Sequence, residues 1–451
     1  MIILYLLIAL PILGILVFVH EFGHFIMAKW NKIGVDAFSI GFGKEIFGFT
    51  IGETRYKISL IPFGGYCKMR GEEHKDREAQ TENDPRAMYN RPPLARLFAI
   101  IGGALFNYLF AILIMSLLIW HGFSETLVSP QVAIIEKDGK GEFTPAYKAG
   151  LRSEDTIISI GGEKIESYMD IPKIVVLNVD KPLSIEFIRK GITNNAIITP
   201  RYSDSKGAGY IGVTPLFYTT IGYVTSNSPA SMAGLKPGDK ILKIDNTTMT
   251  YFYEIDRYIE DKTNREVSVT LLRIETNGAS NVITQKIKVD RFESRGYIGI
   301  APLNDYPTFE KIHKANNLLT AFKEGFIQTH YFLFETLRGF KAMFSGKIDI
   351  RRNVAGPVRI LQMTGEIATK TDITTLLRFM ALLSVALGFF NMLPIPGFDG
   401  GHALFNLAEL ISRKKLSEKA RAIIEMTGFI FIITLSIFVF LNDILNLLYG
   451  R

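Results

Sequence analysis

His20, Glu21 and His24 fall together in the string His20-Glu21-Phe22-Gly23-His24. On a helix the two imidazoles lie four residues apart on one face, near enough to bind one metal ion, and the carboxylate beside them can act on a water held by that ion. The chemistry this points to is zinc-dependent hydrolysis. Neutral imidazoles hold Zn²⁺ without cancelling its charge, the ion lowers the pKa of its water toward about 7, and Glu21 takes the proton as general base. The same residues would also suit a proton relay in a transporter, or polar groups pairing between helices. Placing a charged side chain at the centre of an apolar helix costs roughly 2.5 to 3.5 kcal/mol, which argues against an idle cluster.

Two histidines leave a tetrahedral catalytic site one protein ligand short. The string NMLPIPGFDGGH, from Asn391 to His402, can supply it: prolines and glycines break an apolar run there and place Asp399 in the break. Asp399 is the expected third ligand. His402 could replace it chemically, and is otherwise a residue beside the ligands or at the membrane interface. The single cysteine, Cys67, excludes an intrachain disulfide and reads as a small apolar side chain, not a nucleophile.

The elements that must carry these residues are apolar blocks. The 451 residues are 48% hydrophobic, and the mean hydropathy of +0.19 comes from a few concentrated runs. Met1 to Ala28 has Glu21 as its one charged residue and is long enough to cross a hydrocarbon core of roughly 30 Å. It lacks the basic start of a signal peptide. Further runs cover Leu97 to Trp120, Phe379 to Phe398 and Met426 to Asn442. The expected fold class is therefore a multi-pass α-helical membrane protein with four transmembrane helices at 1–28, 97–120, 375–402 and 426–448. Gly102, Gly103 and Ala104 in the second permit close helix approach, and Asn107 offers one hydrogen bond across helices.

Basic residues orient the spans. Lys29, Lys32, Arg91 and Arg96 flank the loop at 29–96, and Arg413, Lys414, Lys415, Lys419 and Arg421 fill the loop at 403–425, so both are expected on the cytoplasmic side. The net charge of +7 is accounted for by this bias and by anionic membrane lipid, and it gives no ground for nucleic-acid binding. Within the first loop, six glycines and the alternation of Tyr56, Ile58 and Leu60 between Phe38 and Met69 predict a short sheet or hairpin beside the metal motif, dipping toward the membrane. A helical substrate must be unwound before its backbone can be cut, and an unwound segment at membrane depth needs hydrogen-bond partners. Arg55 to Leu60 is expected to offer a strand edge to it, through Tyr56, Ile58 and Leu60. The alternative is a hairpin that braces the first helix.

Between Gln131 and Pro302 the chain repeats. TPAYKAGLRSED from Thr144 to Asp155 matches SPASMAGLKPGD from Ser228 to Asp239, and GYIGVTP from Gly209 matches GYIGIAP from Gly296. Two tandem domains of one fold follow, at 131–215 and 216–302. In the first copy Ser153-Glu154 stands where the second has Pro-Gly, so its turn is expected to differ. Residues 303–374 are amphipathic, and Leu318 to Phe344 mixes phenylalanines with charges in a way suited to an interface or to the protein's own surface.

The repeated SPA..AGL..GD pattern resembles PDZ domains, which implies capture of peptide C-termini by strand addition, or a screen for what reaches the membrane. HEFGH in a first span, a PDZ pair and NMLPIPGFDGG in a third together resemble the site-2 protease family of intramembrane zinc metalloproteases, in its bacterial RseP-type form. That resemblance implies Zn²⁺ on His20, His24 and Asp399, Glu21 as catalytic base, and Asn391 in substrate handling. It implies a membrane-associated β element around GFGK at Gly41 and IPFGGYCKM at Ile61, and PDZ domains outside the cytoplasm in a bacterial cytoplasmic (inner) membrane. The implied substrates are single-span membrane proteins already trimmed outside the membrane, such as anti-sigma factors or remnant signal peptides, cut in regulated intramembrane proteolysis. Phe398 stands where the family usually has Leu, and Ala104 where Pro is expected. The rival readings are a non-enzymatic PDZ scaffold or sensor and a proton- or ion-coupled transporter, the latter disfavoured by only four spans.

Overall fold

The computed structural model describes residues 2–72, 84–203, 207–275, 278–292, 295–346, 356–414 and 418–449. Lys415 of the basic loop, and 73–83 of the first loop, lie outside the described residues. The chain forms two compact units, the first made of Met1–Phe123, Ile312–Lys341 and Asn353–Arg451 and the second of Ser124–Lys311 and Ala342–Arg352.

In the first unit, helix α1 (Ile2–Trp30) is followed by strands β1 (Val35–Ile51) and β2 (Thr54–Met69) and by α2 (Pro93–His121). Helices α3 (Leu318–Phe344, of which 342–344 fall in the second unit), α4 (Pro357–Lys370), α5 (Ile373–Asn391), α6 (Asp399–Ser412) and α7 (Glu418–Tyr449) complete it. Stretches of α1, α2, α5 and α7 are long and apolar enough to cross a membrane: Leu7–Trp30, Pro93–His121, Ile373–Asn391 and Ile423–Leu441. Pro93 opens α2 at its first turn, where a missing N–H costs nothing.

Small residues let these helices touch backbone to backbone. A methyl group on Gly102 of α2 would stand 2.5 Å from the carbonyl oxygen of Gly23 on α1, so only glycines allow this crossing. Ser384 of α5 donates to the Asn107 carbonyl of α2 at 2.9 Å, and the buried Arg96 of α2 pairs with Glu409 of α6 at 2.7 Å. Phe332 and Leu333 of α3 pack on the core formed by Leu16, Ala111, Met115, Met380, Ala381 and Val385. That places one face of the amphipathic segment against the protein's own helices. Asp443 of α7, 2% exposed, accepts from the backbone N–H groups of Gly356, Val358 and Arg359 at 3.0 to 3.1 Å. It thereby caps α4 from a distant part of the chain.

The third apolar run is not one helix. It ends at Asn391, residues 392–398 run irregularly, and α6 starts afresh at Asp399, which corrects the expected span at 375–402. The prolines at 394 and 396 cannot continue the helical ladder, and Gly397 adopts φ 98°, a left-handed value that favours glycine. Gly401 admits the loop's return, since a methyl there would meet the Ile395 carbonyl oxygen at 2.5 Å.

The β element is larger than a simple hairpin. Bends at Gly41 (φ 84°), Gly43 (φ 89°) and Gly64 (φ 89°) fold both strands back on themselves. Ala37, Phe38, Ser39 and Ile40 stand opposite Lys68, Cys67, Tyr66 and Gly65 on one side and opposite Arg55, Tyr56, Lys57 and Ile58 on the other. Arg55, Tyr56, Lys57 and Ile58 in turn face Thr50, Phe49, Gly48 and Phe47. The segment expected to be a free edge is thus flanked on both sides, and strand addition at Tyr56 and Ile58 is corrected accordingly. Alternation marks the faces of a strand, and cannot tell a central strand from an edge. Gly65–Met69 pairs with a strand on one side, and on the other its Cys67 and Met69 N–H groups donate to the Glu21 and Glu72 carboxylates. Lys29 at the end of α1 holds Glu53 of the β1–β2 turn at 2.7 Å, and Arg86 reaches the same carboxylate at 2.6 Å.

The second unit contains one arrangement twice. Thr156–Ile160 pairs between Glu163–Lys164 and Leu183–Arg189, which pairs with Ile192–Ile198. Lys240–Ile244 pairs in the same order with Thr247–Thr248 and Glu266–Ile274, which pairs with Ser280–Lys288. Each copy has its own core, around Ile157, Ile160 and Ile185 in one and Ile241, Ile244 and Val269 in the other. Thr144 and Ser228 cap the short helices by accepting from Tyr147 and Ser231 N–H. Asp155 and Asp239 accept from the N–H groups of Arg152 and Lys236, both at 2.8 Å, and pair with Arg189 and Arg273, both at 2.7 Å. The turn of the first copy does not differ as expected: Glu154 takes φ 73° where Gly238 takes φ 91°. The buried aspartates and their arginines impose the same turn on a residue that adopts it at a cost of roughly 1–2 kcal/mol.

Candidate active site

Helix α1 places His20 and His24 on one face, both buried, and the start of α6 brings Asp399 to them. The Nε2 atoms of His20 and His24 lie 3.2 Å apart, and Asp399 Oδ2 lies 3.0 Å from the first and 3.2 Å from the second. The donor atoms of these three residues all fall within 4.8 Å of one another. Ligands about 2.0–2.1 Å from a zinc ion at tetrahedral angles stand roughly 3.3 Å apart, so this donor set fits Zn²⁺ with a fourth position left over.

Helix α2 backs the cluster. A methyl group on Gly103 would stand 2.5 Å from His24 Nε2 and 2.6 Å from His20 Cε1, so the imidazoles occupy the space that a side chain would need. His24 Nδ1 lies 2.9 Å from the Ala99 carbonyl oxygen. A carbonyl only accepts, so Nδ1 carries the proton and Nε2 keeps its lone pair toward the cluster. Asn107, 0% exposed, reaches His20 Nδ1 with its amide at 3.2 Å. In the sequence these α2 residues read as packing, with one polar side chain in an uncharged run as the signal of something more.

Glu21 points from α1 to the β element, where its Oε2 accepts from the Cys67 N–H at 3.0 Å. It also interacts electrostatically with His24, His20 and Asp399. The base candidate therefore sits between the metal-ligating cluster and the outer side of Gly65–Met69. Cys67 itself is buried and free. Asn391 is the last residue of α5, half-buried, at the near end of the break that leads to Asp399. His402 lies outside the cluster and faces Glu425 of α7 at 3.7 Å. Tyr56 is half-buried and Ile58 and Leu60 are exposed.

Two imidazoles and a carboxylate set for zinc with a glutamate beside them are the construction of a zinc hydrolase, in a unit that also holds helices of membrane-crossing length. The comparison with known proteins agrees: the chain belongs to peptidase family M50, whose family model matches residues 8–435. A protein of Treponema pallidum named as a zinc metalloprotease is 28% identical over 97% of this chain and 98% of its own length. One from Neisseria meningitidis serogroup A, also so named, is 30% identical over 96% of this chain and 97% of its own. The regulator of sigma E protease of Haemophilus influenzae is 28% identical, with 96% of this chain and 97% of that protein covered.

Proposed function

We propose that this chain is an intramembrane endopeptidase that cuts within the transmembrane segment of a single-span membrane protein. The observation that carries the proposal is the position of the His20–His24–Asp399 cluster, with both histidines inside the apolar stretch Leu7–Trp30. A peptide bond that reaches it must do so at membrane depth.

In this reading His20, His24 and Asp399 hold zinc, which when bound acidifies a water and stabilises negative charge on the scissile carbonyl oxygen. Glu21 takes the proton of the attacking water and returns it to the leaving amine. Its bond to the Cys67 N–H fixes the carboxylate beside the edge at Gly65–Met69, which becomes the strand that receives an unwound substrate. Substrate backbone pairing there competes for the Cys67 N–H and frees Glu21 for its proton. Asn391, at the end of α5, holds the extended substrate from the side of the break. The β element's exposed Phe42, Ile46, Phe47 and Phe49 favour a face in contact with lipid.

The repeated unit between Gln131 and Pro302 acts as a PDZ pair outside the cytoplasm of the inner membrane, admitting substrates once their external domain has been removed. The enzyme's substrates are anti-sigma factors or remnant signal peptides, and a relative that is named as a regulator of sigma E fits the first class. The reading is tested on purified protein by zinc content and by cleavage of a model transmembrane substrate, for wild type and His24→Ala. Zinc-free wild-type protein that still cleaves, or undiminished cleavage by His24→Ala, overturns it. Deleting Gln131 to Pro302 should let an untrimmed substrate be cut, and continued resistance would remove the gating role.

A further inference from the structure

Asn107 is a buried polar group in contact with the metal-ligating cluster that hydrolysis itself leaves unused. It lies on α2 with 0% exposure, and its amide contacts the ring of His20 at Nδ1, on the side away from Asp399. As placed, the amide nitrogen is the atom 3.2 Å from His20 Nδ1, while the amide oxygen is buried without a hydrogen-bond partner. A buried acceptor left unsatisfied costs about 1–3 kcal/mol. The two ends of an amide are nearly the same shape, so which one faces His20 is decided by the hydrogen-bond network and not by the envelope.

The network decides for the oxygen. His20 Nε2 faces Asp399 Oδ2 at 3.0 Å and His24 Nε2 at 3.2 Å, so Nε2 is the nitrogen that must keep a lone pair for a metal. A neutral imidazole with a free Nε2 carries its proton on Nδ1, and that proton needs an acceptor. An amide NH₂ cannot accept it. Turning the Asn107 amide over gives Nδ1–H its acceptor and gives the orphaned oxygen a donor in one step. The partner histidine is already held in this way, with Nδ1–H donating to the Ala99 carbonyl at 2.9 Å. Ala99 and Asn107 lie eight residues apart, about two turns of the same helix, as His20 and His24 lie about one turn apart on α1.

Resting on the zinc reading above, we propose that Asn107 is a positioning residue whose amide oxygen accepts from His20 Nδ1–H and locks the ring with Nε2 toward the metal. Helix α2 then supplies the tautomer control for both histidines of α1. Such outer partners of a metal-bound histidine typically contribute 10- to 100-fold in metal affinity.

The test is zinc affinity of the full chain in detergent, measured by competition with a chromophoric chelator, with no turnover involved. Asn107→Leu, which keeps bulk and removes the acceptor, should weaken zinc about 10- to 100-fold. Asn107→Asp, which can only accept, should restore affinity to within a few-fold of wild type. Leu with wild-type affinity, or Asp as weak as Leu, overturns the proposal, because the second result would mean that the amide's NH₂ is what matters. Unaltered zinc affinity with a fall in kcat for Asn107→Leu would likewise overturn it, placing the amide on the substrate. A second measurement needs no variant: in zinc-loaded wild-type protein labelled with ¹⁵N-histidine, His20 should show a protonated Nδ1, and a protonated Nε2 refutes the assignment. Wild-type protein that binds no zinc at all would instead refute the metal reading, so the two failures are distinguishable.

Discussion

Gly103→Ala is the substitution that tests the site's construction most directly. The added methyl would lie 2.5 Å from His24 Nε2, 2.6 Å from His20 Cε1 and 2.7 Å from His20 Nε2. Comfortable contact between such atoms is near 3.5 Å, so the rings or the helix must give by about 1 Å. Ligand distances in a zinc site tolerate about 0.2 Å, and working sites are held within about 0.5 Å. Retreat of the helix would open the Gly102–Gly23 contact on α1 and press α2 onto α5, where Ser384 and Gly388 already meet Asn107 and Ala104. The expected result is a loss of zinc affinity of about 100-fold or more, exceeding the 10- to 100-fold typical of disturbing a ligand's outer partner, with a matching loss of proteolysis. Global stability should fall by only about 1–3 kcal/mol, the usual cost of overpacking. The assay is chelator competition on detergent-solubilised protein alongside thermal unfolding, with Gly339→Ala as the control. Gly339 is a helical glycine with nothing within 4 Å of an added methyl, so alanine there should be neutral or stabilising by about 0.5–1 kcal/mol. Zinc affinity within threefold of wild type in Gly103→Ala would show that the imidazoles do not lie against this glycine, and the geometry argued above would fail.

Other expectations follow from single contacts. Glu21→Gln should keep zinc bound and the fold intact while lowering cleavage by about 10²–10⁴-fold, the usual share of a general base, and activity within tenfold of wild type would remove that role. Glu154→Gly should stabilise the second unit by roughly 1 kcal/mol in denaturant unfolding, because glycine adopts the left-handed turn without a steric cost; destabilisation would contradict the strain assigned to φ 73°. Asp443→Ala leaves the N–H groups of Gly356, Val358 and Arg359 without their acceptor, so amide hydrogen exchange at 356–360 should accelerate, and unchanged protection would mean that another group caps α4. Glu409→Ala strands the buried Arg96 guanidinium, with an expected loss of about 3–5 kcal/mol in stability, read from thermal unfolding.

What the sequence alone determined is whatever short spacing and composition encode. The i, i+4 histidines with Glu21 between them, the apolar runs, the twice-written motif from Thr144 and Ser228, and the broken stretch around Asp399 are all local patterns. Each follows from the period of a helix, the length of a span or the chemistry of proline and glycine. Tertiary structure decided which distant groups meet. Asp399 comes within 3.0 Å of His20 across 379 residues, and that distance depends on a helix break whose extent, from 392 to 398, no periodicity marks. Arg55–Leu60 read as an edge because alternation shows faces only, whereas bends at Gly41, Gly43 and Gly64 decide which segments lie side by side. Glu154 read as a changed turn because propensity is local, but the hydrogen bonds of Asp155 to Arg152 and Arg189 override it. Gly103 and Asn107 read as packing, and they acquire meaning only because the crossing of α1 and α2 at Gly23 and Gly102 presses them against the two imidazoles.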